Sequence, residues 1–231
     1  MTDNLKVIDD RTRWDNIHKK TFHPANRESL YAEEKEKLFP RNSLVVEIGG
    51  GTGEDALYFL KQGHRLIFFE ISPEALRVTK DRVKESNLSA NIVFRQLDYG
   101  LERLPVKDSS VDVVYSRISL QYFDREHTIR IFRDIYRILK PGGQAFLSFK
   151  SPEDKEEMNY LENVGTLYEP NVYIENGMIR SRFTKEQLED MIKSAGIKEF
   201  KVTPIVENLE GRRVDHKQSI FINDVYILKS V

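Results

Sequence analysis

Cysteine is absent from all 231 residues, so neither a disulfide nor a thiolate metal site contributes to this protein. Long apolar runs are missing too; the longest spans only a few residues, short of the ~20 that cross a bilayer. No block of one charge stands out, since 36 Lys and Arg face 37 Asp and Glu for a net charge of −1. That balance leaves no electrostatic footprint for nucleic acid or an anionic membrane. There is no internal repeat and no low-complexity tract, and Met1 to Asp10 is polar and acidic, unlike a targeting peptide. These absences predict a cytoplasmic protein that contacts neither nucleic acid nor membrane. With 39% hydrophobic residues, the length suits one α/β domain with a substantial core.

What is present begins at Leu44-Val45-Val46-Glu47-Ile48-Gly49-Gly50-Gly51-Thr52-Gly53. The short, β-branched apolar run reads as a strand covered on both faces, ending in an acid and a glycine turn. Alternate glycines at 49, 51 and 53 let backbone approach a ligand where a Cβ would collide. Ala56, Leu57, Phe59 and Leu60 then fall at helical spacing over Glu54 to Gln62. Free N–H groups therefore sit at the C-terminal edge of a parallel sheet, where open α/β sheets bind ligands. The dinucleotide fingerprint G-x-G-x-x-G fits imperfectly, because Glu54 occupies the third glycine's place and Glu47 would crowd a pyrophosphate.

Leu66 to Glu70 reads as a second strand ending in an acid, 21 residues after Gly49, or one βαβ unit. A carboxylate there can accept from both ribose hydroxyls of an adenosine ligand. Ser72-Pro73 caps the next helix. Asn91 to Leu97 is a third strand leading to Asp98-Tyr99, and Val111 to Ser116 a fourth, followed by Ser119-Leu120-Gln121-Tyr122-Phe123. Asp124 to Lys140 is an amphipathic helix with Ile129, Phe132, Tyr136 and Leu139 on one stripe. Lys140-Pro141-Gly142-Gly143 then turns the chain into a fifth strand that ends at Phe149.

Taken in order, these segments resemble the class I S-adenosylmethionine-dependent methyltransferases, whose first motif is (D/E)-x-G-x-G-x-G. The resemblance implies a Rossmann-like α/β fold: a seven-stranded sheet of order 3-2-1-4-5-7-6, strand 7 antiparallel, helices on both faces. It implies S-adenosylmethionine as methyl donor, S-adenosylhomocysteine as product, and no metal. Carried onto this sequence, Glu47 helps hold the methionine moiety and Gly49, Gly51 and Gly53 line the cofactor. Glu70 takes the ribose and Asp98 and Tyr99 the adenine, with Ile71 and with Ser116 at the end of strand four also on the cofactor. Trp14 is the only tryptophan, and related enzymes close such an aromatic over the cofactor.

A single domain is expected, with residues 1–40 a helical cap, 41–150 the cofactor-binding core, 151–182 an irregular insertion or lid, and 183–231 a helix and closing hairpin. Residues 11 to 38 look helical, and Glu33 to Lys37 reads as a solvated face. Phe183 to Leu188 carries a capping box, Thr184 with Gln187, and a hydrophobic staple, Phe183 with Leu188. The final strands fall near Glu199 to Ile205 and Ser219 to Leu228. The five histidines, 18, 23, 64, 127 and 216, show no ligand spacing, and His64 and His127 are expected to be exposed.

The acceptor is approached by elimination. Ser116-Arg117-Ile118-Ser119 lacks the Pro-Pro-aromatic segment of base amino-methylases, and cysteine-dependent cytosine methylation is impossible. A small-molecule acceptor remains. The segments 150–154, 168–174 and 180–184 resemble the small bacterial tellurite-resistance and thiopurine-methyltransferase type, which acts on soft or anionic nucleophiles. Trp14, His18, Arg117, Tyr122, Tyr173 and Arg182 are the expected substrate-side residues, with Arg117, Arg180 and Arg182 offering a cationic pocket. No catalytic base is nominated, and monomer and homodimer are both open. A non-catalytic cofactor-binding protein and an NAD-dependent oxidoreductase stand as alternatives.

Overall fold

The computed structural model describes residues 9–20, 27–209 and 219–230. Two helices, α1 (Asp10–Lys20) and α2 (Leu30–Glu36), precede an alternating run: β1 (Leu44–Ile48), α3 (Glu54–Lys61), β2 (Arg65–Glu70), α4 (Pro73–Glu85), β3 (Ile92–Gln96), β4 (Val111–Arg117), α5 (Arg125–Ile138) and β5 (Leu139–Lys150). Next come α6 (Lys155–Val164), β6 (Thr166–Glu169), β7 (Val172–Glu175), β8 (Met178–Ser181), α7 (Lys185–Ser194), β9 (Phe200–Asn208) and β10 (Ser219–Leu228).

Seven strands form one mixed sheet in the order β3-β2-β1-β4-β5-β10-β9. The first five run parallel, and β10 pairs antiparallel with both β5 and β9. The expected order 3-2-1-4-5-7-6 therefore differs in its last labels. The segment 151–182 adds α6 and a separate three-stranded antiparallel sheet, β6-β7-β8, where an irregular insertion was expected. Its second hairpin turns on Asn176-Gly177, φ 50° and 73°, a dipeptide suited to the left-handed corner of a tight hairpin.

Alternation along β1 splits the core in two. Val46 and Ile48 face α5 and α7 with Phe132, Ile135, Leu188 and Met191, whereas Val45 faces α2 and α3 with Ala32, Phe59 and Leu60. Glu47 shares Val45's side but sits one step further along, at the strand's open end. The capping box of α7 forms as expected, with Thr184 accepting from Gln187 N–H and the Gln187 side chain accepting from Thr184 N–H.

Several expectations change. The helical cap is two helices, and α1 contains no buried residue. Lys35, expected to be solvated, is 6% exposed and reaches Asp224 of β10 at 2.6 Å, where Tyr31 Oη also donates at 2.8 Å. His64 is buried at 2%: Nδ1 accepts from Ser43 N–H and Nε2 lies 3.1 Å from Glu36 Oε1. Pro141-Gly142-Gly143 lies within β5, with Gly142 N–H donating to Lys229 O, so the turn is a bulged strand entry. His23 and His216 lie outside the described residues.

Candidate functional site

Two adjoining cavities open along the C-terminal edge of β1, β2 and β4. The smaller, about 170 Å³, is lined by Glu70, Ile71, Asp98, Tyr99, Ser119 and Phe123, with Asp10 of α1 at its rim. The larger, about 520 Å³, takes in Glu47, Gly50, Thr52, Asp55, Arg117, Gln121, Lys150 and Glu207. Trp14, His18, Gly49, Gly51, Ile118 and Tyr122 border both, so the glycine turn and α1 join them. A third cavity of about 380 Å³ backs onto Tyr99 beside α5, contains none of the glycines, and has its Arg137 committed to Asp108 and Asp134.

The glycines divide the work. A Cβ on Gly49 would meet Ser119 Cβ at 2.5 Å, one on Gly50 would meet Phe68 at 2.2 Å, and one on Gly53 would meet Thr79 at 2.2 Å. Those three are required by packing. A Cβ on Gly51 would meet only His18, at 3.9 Å, and would project into the shared space. Gly51 is the position where bare backbone leaves room for something else.

Glu70 ends β2 almost fully buried, its Oε1 accepting from Ser72 N–H and its Oε2 from Gly51 N–H, both at 2.9 Å. Burial raises its carboxyl above the ordinary value, and the N–H groups of Ser72 and Gly51 offset part of that rise. Each oxygen keeps a lone pair, enough for a vicinal diol. Glu47 is 2% exposed, and its Oε2 has no hydrogen-bond partner among the described residues. Burial pushes its carboxyl well above the carboxylate range, and nearby Asp55, Glu54 and Glu70 push further. A buried, unpaired acid in an acidic corner is costly unless a cation completes it.

Around them the fold fixes the walls. Asp55, at the start of α3, accepts from Ser29 N–H at 2.7 Å, Ser29 Oγ at 2.9 Å and Tyr115 Oη at 2.7 Å, tying the segment before α2 to the sheet. Asp15 accepts from Glu74 N–H at 2.8 Å, holding α1 over the N-terminus of α4. Trp14 stands edge-on to Tyr122, ring centroids 4.8 Å apart. Tyr99 Oη donates to Ser119 O at 3.2 Å and its ring packs on Phe123. At the end of β4 the chain bends sharply at Ile118, φ 52°, the one β-branched residue with positive φ among the described residues. Such a conformation stores about 1–3 kcal/mol of strain and is found where a site requires it. It aims Ser119, Gln121 and Tyr122 at the crevice.

The expected site residues thus separate. Glu47, Gly49, Gly51, Glu70, Ile71, Asp98, Tyr99, Trp14, His18, Arg117 and Tyr122 line the crevice. Gly53 packs on Thr79 instead, and Ser116 lies beneath the turn, fully buried, bonded to Ile48 O and Ser119 Oγ. Arg182 does not reach the cavity: it is 1% exposed, paired with Glu157 at 2.7 Å and donating to Ser181 O. Tyr173 packs with Met158 and Leu161 in a small separate cluster. Arg180 turns to Glu175 and the Tyr122 ring. Asp10, Gln121, Lys150 and Glu207 join the crevice in addition; Gln121 and Lys150 lie inside motifs visible in the sequence, whereas Glu207 carries no local signal. Among the described residues, no cluster of His, Cys, Asp or Glu is placed to hold a metal, and no helix is long and apolar enough to cross a membrane.

Residues 45–143 match the methyltransferase domain family. O-methyltransferase 3 of Dictyostelium discoideum is 27% identical over 179 residues, 74% of this chain and 39% of that protein. The chain spans less than half the length of the curated relatives it matches. Among solved structures, a SAM-dependent methyltransferase from Methanosarcina mazei superposes with a TM-score of 0.69 at 18% identity, covering 85% of this chain and 96% of that one. The 1,6-didemethyltoxoflavin-N1-methyltransferase of Burkholderia thailandensis, solved with its substrate and S-adenosylhomocysteine, gives 0.61 at 16% identity over 88% and 80%. The tellurite-resistance and thiopurine likeness finds no support in these comparisons. Residues 45–143 thus match a methyltransferase domain, and the chain shares its Rossmann-like α/β fold with S-adenosylmethionine-dependent methyltransferases of known structure.

Proposed function

We propose that this protein moves a methyl group from S-adenosylmethionine to a small-molecule acceptor by in-line displacement. The observation that carries the reading is the buried carboxylate of Glu47, whose Oε2 lacks a partner beside a glycine turn. An α-ammonium would complete it; a pyrophosphate would face Glu47, Glu54 and Asp55 and be repelled. That contrast disfavours the nicotinamide alternative.

The remaining roles follow from position. Glu70 would hold the ribose hydroxyls, and Gly51 would leave space for the amino-acid tail. Ile71, Asp98 and Tyr99 would surround the adenine, with Tyr99 kept protonated because burial raises its hydroxyl far above the usual value. When bound, the sulfonium supplies an already activated methyl group. The protein has then to orient an acceptor on the line from sulfur through carbon and to keep water out. Ile118 to Tyr122 border that line, and Trp14 and His18 of α1 roof it. Calorimetry with S-adenosylhomocysteine, S-adenosylmethionine and NADH tests the reading. Binding of the first two without the third is expected, and the reverse would overturn it.

A further inference from the structure

Resting on that reading, we infer that the acceptor is a protic nitrogen or oxygen compound, an amine or hydroxyl, received by Glu207 through its Oε2. The sequence suggested the opposite, an anion drawn by arginines. On the acceptor side of the larger cavity those cations are already committed. Arg117 places both Nε and Nη2 on a single oxygen, Glu207 Oε1, at 3.1 and 2.8 Å. Lys150 Nζ donates to Glu157 at 2.6 Å, and Arg182 is buried away from the cavity on the same Glu157. Arg27, the remaining arginine on this cavity, is exposed to solvent and directly precedes Glu28 in the chain.

The one-sided fork has a consequence. Arginine and carboxylate commonly meet through two parallel bonds, each oxygen taking one. Here Oε2 of Glu207 is left over: the residue is 7% exposed, lines the cavity, and its Oε2 has no hydrogen-bond partner among the described residues. A buried acceptor atom so placed costs free energy until a donor arrives. The other carboxylates on this cavity have different duties: Asp55 accepts three hydrogen bonds from Ser29 and Tyr115, Glu54 is paired with Arg82, Glu28 has an interaction of its own, and Glu47 lies at the glycine turn. On the same cavity, Tyr122 and Trp14 provide aromatic surface for the body of the molecule. A carboxylate or phosphate there would be repelled by the charge of Glu207. A thiolate would gain nothing from it.

The test uses the full-length protein saturated with S-adenosylhomocysteine and two matched pairs of small probes, benzylamine against benzoate and phenol against thiophenol. Binding is read by ligand-observed NMR titration. Benzylamine and phenol should bind at least about ten-fold tighter than their partners, and Glu207→Gln, which turns an N–H toward the donor, should erase that preference. S-Adenosylhomocysteine affinity should not change in the variant. Equal or tighter binding of benzoate, no preference within either pair, or a preference that survives Glu207→Gln would each overturn the inference. Should the variant fail to fold with Arg117 unpaired, the wild-type comparison decides alone. Failure to bind S-adenosylhomocysteine at all would sink the methyltransferase reading, a result distinct from any of these.

Discussion

The two halves of the crevice are made in different ways. The half proposed for the cofactor is centred on one stretch of chain: a strand, a turn, a helix and the acid ending the next strand, held by backbone N–H groups and by glycines that fit against Ser119, Phe68 and Thr79. The half proposed for the acceptor is assembled from β4, β5, β9 and the segment before α2, whose charged side chains find partners tens of residues away, Arg117 with Glu207 being 90 apart. A wall built from backbone is conserved in shape by packing; a wall built from ion pairs is set by which residues happen to meet.

The largest effect that would break this contrast concerns the turn. Gly51→Val should abolish cofactor binding, beyond about 100-fold in Kd, because the side chain enters the cavity. At φ 56° it also carries about 1–2 kcal/mol of left-handed strain. Gly53→Val should instead unfold the turn against Thr79. Calorimetry beside thermal melts separates the two, and normal binding by Gly51→Val would mean that the ligand lies elsewhere. Next is Glu70→Ala, expected to lose about 2–4 kcal/mol of cofactor affinity through two charge-assisted hydrogen bonds. An unchanged affinity would remove Glu70 from the ribose.

On the other half, Arg182→Met should cost stability, about 2 kcal/mol or more, and leave cofactor affinity alone, since the guanidinium serves Glu157 and not a substrate. The pH dependence sharpens the point. Burial would raise the Glu157 carboxyl, but Arg182 and Lys150 outweigh it and hold it at about 2, below its ordinary 4.5. A depressed carboxyl stabilises the fold above its unfolded pKa, so this contribution is lost as pH falls from about 4.5 toward 2. Glu157→Gln should flatten the melting temperature in that window. The smallest effect falls on Glu47, whose carboxyl is raised in the free protein. Pairing with an ammonium requires it ionised, so cofactor binding should release protons and weaken as pH is lowered. Calorimetry in two buffers of different ionisation enthalpy reads this directly, and no proton release would separate Glu47 from the ammonium.

The same contrast explains what could be read without coordinates. Strands, glycine turn, capping box and the acids at 47, 70 and 98 are local patterns, and each falls where periodicity and spacing predict. His64 and Lys35 escaped because a turn position and a charged run look solvated until Ser43, Glu36 and Asp224 are seen beside them. Arg182 and Tyr173 were misassigned for the same reason, their partners Glu157, Met158 and Leu161 lying on α6. The β7–β8 hairpin was legible in Asn176-Gly177, though the segment was expected to be irregular. Nothing near Glu207 marks it, because its meaning lies entirely in Arg117.

The position of β10 between β5 and β9 also sets an order of assembly. Among the described residues β9 pairs with the sheet's backbone through β10, and β10 reaches β5 across pairings 72 to 84 residues long, from Ile222 with Lys150 to Leu228 with Gln144. Long-range pairings form slowly, after neighbouring βαβ units have closed. During folding the β1–β2 unit with its glycine turn, paired over 21 residues, can therefore close while the edge bearing Glu207 is still undocked. On the proposed reading, a half-folded molecule would hold the glycine turn and Glu70 without the edge that selects an acceptor, and selectivity would come after them.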